Sequence, residues 1–99
     1  MDGKMTPVMV SKRVIVTGRV QGVGFRYATK DLARGFDVCG SVSNLPDGSV
    51  EILVMGEAEE VDEFLHELAE QSQVAHFIKN IHAAPIPPLE NARGFVIAR

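Results

Sequence analysis

The densest chemical signal in the chain is Gly18-Arg19-Val20-Gln21-Gly22-Val23-Gly24-Phe25-Arg26. Three glycines in seven residues let the backbone turn tightly and aim successive N–H groups at one point. A helical pattern starts directly afterwards, so the positive end of its dipole faces the same place. Arg26 falls in that helix's first turn, where its planar donor fork suits an oxyanion. The whole reads as an anion cradle, best matched to phosphate, although glycine-rich strand-to-helix loops also serve simply as turns. It is not a Walker P-loop, because no Gly-Lys-Ser/Thr follows, and a dinucleotide fingerprint requires repeated βαβ units that are not present. The second candidate is Asn44. It either opens the turn Asn44-Leu45-Pro46-Asp47-Gly48 or presents its carboxamide to a ligand. Asp47-Gly48 reads as turn chemistry.

Other chemistry is sparse. His66, His76 and His82 lack metal-ligand spacing, so no metal site is expected. His66 flanks an apolar helical stripe, and His76 and His82 are spaced to share one face of a strand over 74–83. Glu51, Glu57, Glu59 and Glu60 read as strand-face and helix-start charges. No Ser/His/Asp or Cys/His arrangement follows from the spacing. Cys39, the single cysteine, rules out an internal disulfide, fits a small strand position and suits a reducing compartment.

These residues need elements to position them. The β-branched run over 12–18 predicts a first strand. Residues 1–11 read as a frayed extension, with Val8 and Val10 available to lengthen that strand, and 12–99 as a single domain. Phe25, Ala28, Thr29, Leu32, Ala33 and Phe36 form one helical face, with Gly35 marking the helix end. Strands are expected over 37–43 and 49–55, joined as a hairpin by the Asn44–Gly48 turn, with Gly56 breaking the second. A second helix over 57–72 carries Val61, Phe64, Leu65, Leu68 and Ala69 on its apolar stripe. A fourth strand follows over 74–83. Pro85, Pro87 and Pro88 mark an extended loop, and a short edge strand over 94–98 is an optional fifth.

The β-α-β-β-α-β order predicts an α+β, ferredoxin-like sandwich: an antiparallel sheet with two helices on one face. A right-handed crossover makes the first two strands parallel, with the third between them. Their carboxyl ends then share one sheet edge, two strand spacings or on the order of 10 Å apart. Arg26 and Asn44 are thereby expected to face one pocket.

Composition narrows the partners. At 99 residues, 45% hydrophobic and with net charge −3, the chain has one core and no general basic face for nucleic acid or anionic membrane. No apolar run approaches the ~20 residues of a membrane span, and residues 1–9 lack the apolar core of a signal peptide, so a cytoplasmic location is expected. An RNA-recognition domain shares the element order. It would want aromatics on the central strands, where the third strand instead offers Glu51, Leu53 and Met55.

The cradle segment and Gly40-Ser41-Val42-Ser43-Asn44-Leu45-Pro46-Asp47-Gly48-Ser49-Val50-Glu51 resemble the two signature segments of the acylphosphatases, and the similarity extends over 12–99. The resemblance implies hydrolysis of acyl phosphates to a carboxylate and inorganic phosphate, without cofactor or metal. It implies that Arg26 binds the phosphoryl group, helped by the amides of Gln21, Gly22, Val23, Gly24, Phe25 and Arg26, and that Asn44 orients the attacking water. The partners implied are a small-molecule acyl phosphate and inorganic phosphate as product and inhibitor, acting on a monomer. Ser41 stands where the family usually has an aromatic, often Trp, and Ser43 where it usually has a basic residue. Gly24 occupies a variable position. The alternative is a non-catalytic or accessory module that binds acyl or carbamoyl phosphate, since similar domains occur within hydrogenase-maturation carbamoyltransferases.

Overall fold

The computed structural model describes residues 7–98. The expected frayed extension lies outside the described residues at 1–6. Seven principal elements follow: β1 (Met9–Gly18), α1 (Phe25–Ala33), β2 (Val38–Asn44), β3 (Val50–Glu57), α2 (Ala58–Glu70), β4 (Ile78–Pro85) and β5 (Phe95–Ile97), with one 3-10 turn at Ala75–Phe77. The sheet order is β4-β1-β3-β2-β5. The fold is the ferredoxin-like βαββαβ sandwich that the element order predicts.

Alternation decides which face is covered. In β3, Val50, Ile52 and Val54 are fully buried, while Glu51, Leu53 and Met55 on the opposite face keep partial exposure. Val14 and Val16 of β1 and Val42 of β2 bury on the same side. The helices meet them with Phe25, Thr29 and Ala33 from α1 and Val61, Phe64 and Leu68 from α2. Each large apolar side chain so buried contributes about 1.5–3 kcal/mol before entropy is counted. Thr29, the one polar group deep in this layer, donates its hydroxyl to the Phe25 carbonyl at 2.8 Å and so leaves no orphan donor. Glu59 and Glu60 occupy the first turn of α2, where the dipole favours them.

Five details depart from the sequence expectation. β1 starts at Met9, so Met9, Val10 and Ser11 pair with Glu57, Gly56 and Met55. They can do so because Gly56 does not break β3: the strand runs through it to Glu57. The glycine is there for space, since a Cβ would stand 2.8 Å from the Asp37 carbonyl oxygen. α1 ends at Ala33, and the N–H groups of Gly35 and Phe36 reach back to Leu32 and Ala33 in tight turns rather than through a left-handed glycine cap. The segment expected to open the fourth strand at Val74 forms the 3-10 turn instead, and β4 runs from Ile78 to Pro85. His76 is therefore off the strand, its ring 4.0 Å from that of Phe77, and does not share a face with His82. Pro85 is tolerated in β4 because the strand lies at the sheet edge. Finally, β5 forms and pairs parallel with β2, which makes the sheet mixed rather than wholly antiparallel.

No helix among the described residues is long and apolar enough to cross a membrane. Phe64 links three parts of the molecule. From α2 it meets Phe36, just beyond α1, edge-on at 5.9 Å, and Phe95 of β5 at 5.7 Å. Phe64→Ala should lower the free energy of unfolding by about 3–5 kcal/mol, read by urea titration. A loss below about 1 kcal/mol would show that this cluster does not hold β5 and the α1 end in place.

Candidate active site

The cradle is pinned at both ends by apolar side chains. Val20 and Phe25 are each 1% exposed, so the intervening residues arch outward between two buried anchors. At the start, the Arg19 N–H donates to the Phe77 carbonyl at 2.9 Å. At the far end Gly24 is the N-cap of α1, with φ 81° and ψ 17°, a left-handed conformation that costs an ordinary L-residue roughly 1–2 kcal/mol. No side chain caps α1, and its first turn has no acidic residue. The first helical bond runs from Ala28 N–H to Gly24 carbonyl at 3.0 Å. Among the described residues, the main-chain N–H groups from Gln21 to Tyr27 are not taken up by backbone carbonyls. The positive end of the helix and the glycine-loop amides thus stand together without an internal anion.

Arg26, the second residue of α1, is half-buried. Among the described residues no carboxylate pairs with it; the ion pairs there are Lys12–Asp62, Arg13–Glu51 and Arg34–Asp31. Asn44 is the last residue of β2 and lies opposite Val50. Alternation puts it on the helix-covered face with Val42, and α1 starts above that face. Its Oδ1 is buried and has no hydrogen-bond partner among the described residues. An acceptor buried that way without a partner costs on the order of 1–3 kcal/mol. Arg26 and Asn44 line one cavity of about 650 Å³, together with Ser43, Leu45 and Pro46. Val23 and Gly24 also line a neighbouring hollow of about 550 Å³, beside Tyr27 and Arg34.

The turn after Asn44 is stiffened from within. Leu45 N–H donates to Ser49 carbonyl at 2.9 Å and Gly48 N–H to Leu45 carbonyl at 3.1 Å. Asp47 accepts from the Ser49 hydroxyl at 2.5 Å and from the Ser49 N–H at 3.0 Å. The hydroxyl first, and the N–H second, hold the Asp47 carboxyl below its ordinary pKa. The turn chemistry expected of Asp47 is therefore what the carboxylate does.

Of the residues singled out in the sequence, the structure brings Arg26 and Asn44 to one cavity and sets Gln21, Gly22, Val23, Gly24 and Phe25 as the loop leading into α1. Cys39 is half-buried on β2 and free. Among the described residues, no three or more His, Cys, Asp or Glu side chains converge. Sequence reasoning missed the cavity walls Leu45 and Pro46, which look like ordinary turn residues. It also missed the side chain of Gln21, which turns to the β2–β3 turn: Nε2 donates to the carbonyls of Leu45 and Ser49, each at 2.8 Å.

Comparison with known proteins fits this geometry. A family model described as acylphosphatase matches residues 12–97. An acylphosphatase of Listeria welshimeri is 42% identical over 82 residues, which make up 83% of this chain and 88% of that protein. The crystal structure of the acylphosphatase from Bacillus subtilis is similar with a TM-score of 0.78 at 33% identity, covering 93% of this chain and 100% of that one. HypF of T. kodakarensis is also similar, with a TM-score of 0.77 at 32% identity over 89% of this chain, but only 12% of HypF is covered.

The Asp47 hydrogen bonds have a pH signature. A carboxyl with a lowered native pKa stabilises the fold above its unfolded value of about 3.9, and that contribution disappears as pH falls through the native value. Asp47→Asn keeps the shape and loses the charge. Urea unfolding should find the variant slightly less stable at neutral pH, with the gap closing in acid. A gap of the same size at about pH 2 would show that the carboxylate charge contributes nothing to the turn.

Proposed function

We propose a division of labour in the site from one premise: the chain belongs to the acylphosphatase family and hydrolyses acyl phosphates to a carboxylate and inorganic phosphate. Arg26 and the amides of Gln21, Gly22, Val23, Gly24, Phe25 and Arg26 bind the phosphoryl oxygens. Asn44 orients the attacking water. The observation that carries this reading is the buried, unpartnered Oδ1 of Asn44 in the same cavity as an arginine without a carboxylate partner.

The chemistry needs few groups. The leaving carboxylate has a conjugate acid with a pKa of about 4 to 5, by analogy with side-chain carboxyls, so it departs as the anion and no general acid is required. Phosphoryl transfer is chiefly positioning and charge stabilisation, and a guanidinium with an amide ring supplies both. Water donates one O–H to Asn44 Oδ1, which turns an oxygen lone pair toward phosphorus. The new P–O bond forms as the P–O bond to the acyl oxygen breaks, and that oxygen leaves with the electron pair. Asn is too weak a base to take the water's proton, which passes to a phosphoryl oxygen. Asp in its place would set a negative charge beside an anionic substrate. The reaction so written is substrate-assisted and calls on no metal.

Ser43 lines the cavity and adds no second charge, so hold on the phosphoryl end falls to Arg26 and the amides. All these groups come from one chain, consistent with a monomer acting on a small molecule, and the free Cys39 suits the cytoplasm. A second reading, a module that binds acyl or carbamoyl phosphate without turning it over, draws on the likeness to HypF.

Benzoyl phosphate hydrolysis, followed by ultraviolet absorbance, tests both. Arg26→Ala should abolish turnover and weaken inhibition by inorganic phosphate; full activity in that variant sinks the assignment. Asn44→Ala should lower kcat by ~10²-fold with phosphate inhibition kept. If its effect lay in phosphate binding alone, water would not be its ligand. EDTA should leave the rate unchanged. A wild-type chain that binds phosphate without turnover would be the module.

A further inference from the structure

We infer that Gln21 is a positioning residue whose side-chain amide ties the phosphate cradle to the turn behind Asn44, and so sets where the water-orienting group stands relative to the phosphoryl group; this rests on the roles given above to Arg26 and Asn44.

The cradle and Asn44 are attached to strands that are not neighbours. β1 carries the cradle, β2 carries Asn44, and β3 lies between them. The sheet ladder therefore relates the two strands only through β3, and does not reach the arch beyond the end of β1. Beyond the end of β1 the backbone arches through Gly22 and Gly24, at φ 79° and 81°, and its N–H groups make no bond to the β2–β3 turn. Gln21 closes that gap. Its Nε2 reaches the Leu45 carbonyl and the Ser49 carbonyl, both at 2.8 Å.

The two acceptors are the carbonyls that close the turn. Leu45 carbonyl already receives the Gly48 N–H, and Ser49 carbonyl the Leu45 N–H. A carbonyl has two lone pairs, and a carboxamide nitrogen has two hydrogens, so one side chain completes both. Leu45 is bonded directly to Asn44, which places the tie one peptide from the residue it locates. Among the described residues no other side-chain hydrogen bond joins the cradle to this turn. The residue type is specific. Glu would oppose carboxylate oxygens to carbonyl oxygens, and Asn is one methylene shorter. A shift of 1 Å in such a group is enough to cost about 10²-fold in rate.

The test measures kcat, KM and phosphate inhibition on benzoyl phosphate for wild type, Q21A, Q21E, N44A and Q21A/N44A. Q21A should lower kcat by ~10- to 100-fold, while KM and the phosphate inhibition constant stay within about threefold. Added to N44A, it should cost less than about threefold more, because no carboxamide is left to misplace. Q21E should show the same kcat loss at about pH 8 and recover toward about pH 5, since the carbonyls push the introduced carboxyl's pKa up and its protonated form can donate one of the lost bonds. Wild type should show no such rise. Wild-type kcat in Q21A, a loss confined to KM and phosphate binding, or a full further loss in the N44A background would each overturn the inference. If Q21A does not fold by circular dichroism, Q21E carries the test through its pH profile, and a flat profile overturns it. An inactive wild type or a fully active N44A would instead overturn the roles of Arg26 and Asn44. With wild type active and N44A impaired, an unimpaired Q21A removes Gln21 alone.

Discussion

β1 and β2 run parallel because each pairs antiparallel with β3, which lies between them. The site depends on that arrangement. Two strands pointing the same way deliver their carboxyl ends to one edge, and each carries a different chemical group there. β1 hands over to a glycine arch and the positive end of a helix. β2 ends on a carboxamide turned to the helix-covered face. The hydrophobic layer of Val14, Val16, Val42, Val50, Ile52 and Val54 under α1 and α2 fixes the height at which the two meet. The ladder sets the spacing of the two strands through β3 but does not reach the arch beyond the end of β1, which is why a single side-chain amide crossing from one to the other carries more weight than its exposure suggests.

Much of this was legible in the chain because the signals were local. The alternation of Val50, Ile52 and Val54, the three-four spacing of Phe25, Thr29 and Ala33, and the glycines around Gln21 each report the conformation of their own segment. The β-α-β-β order, with a helical crossover and then a hairpin, placed Arg26 and Asn44 at one edge without any long-range information. What was not legible depended on partners far along the sequence. Gly56 looks like a strand breaker until the Asp37 carbonyl is seen to press against it. Met9 and Val10 pair in β1 because β3 continues through Gly56 to Glu57 to meet them. The start of β4 was obscured because an edge strand alternates weakly, and Ala75-His76-Phe77 has no turn residue to announce its 3-10 geometry. Gln21 was counted in the cradle for its backbone, and no local pattern tells where a flexible polar side chain will point.

The charge arrangement suits the chemistry as closely as the shape does. The chain is net negative at −3, yet within the described residues Arg26 meets no carboxylate. Asp47, the acidic residue nearest to Asn44 in sequence, spends its charge on Ser49. The cavity thus offers one guanidinium that no carboxylate of the described residues neutralises. Leu45 and Pro46 on the wall lower the local dielectric, and a given donor then acts more strongly on developing charge than it would in water.

The bare start of α1 carries one more consequence. A helix of nine residues that begins on glycine forgoes only the roughly few tenths of a kcal/mol by which a Ser, Thr, Asp or Asn cap exceeds glycine. The uncapped N–H groups are the same set proposed above to bind the phosphoryl oxygens, so an anion held there would complete the helix as it is recognised. Folding and occupancy become one linked equilibrium, in which ligand at about a hundred times its Kd adds about 2.7 kcal/mol to the native state. In a domain of this size each 1 kcal/mol moves the melting temperature by about 4–8 °C. On the proposed roles, the thermal midpoint of this protein would be a calorimetric gauge of how full its cradle is.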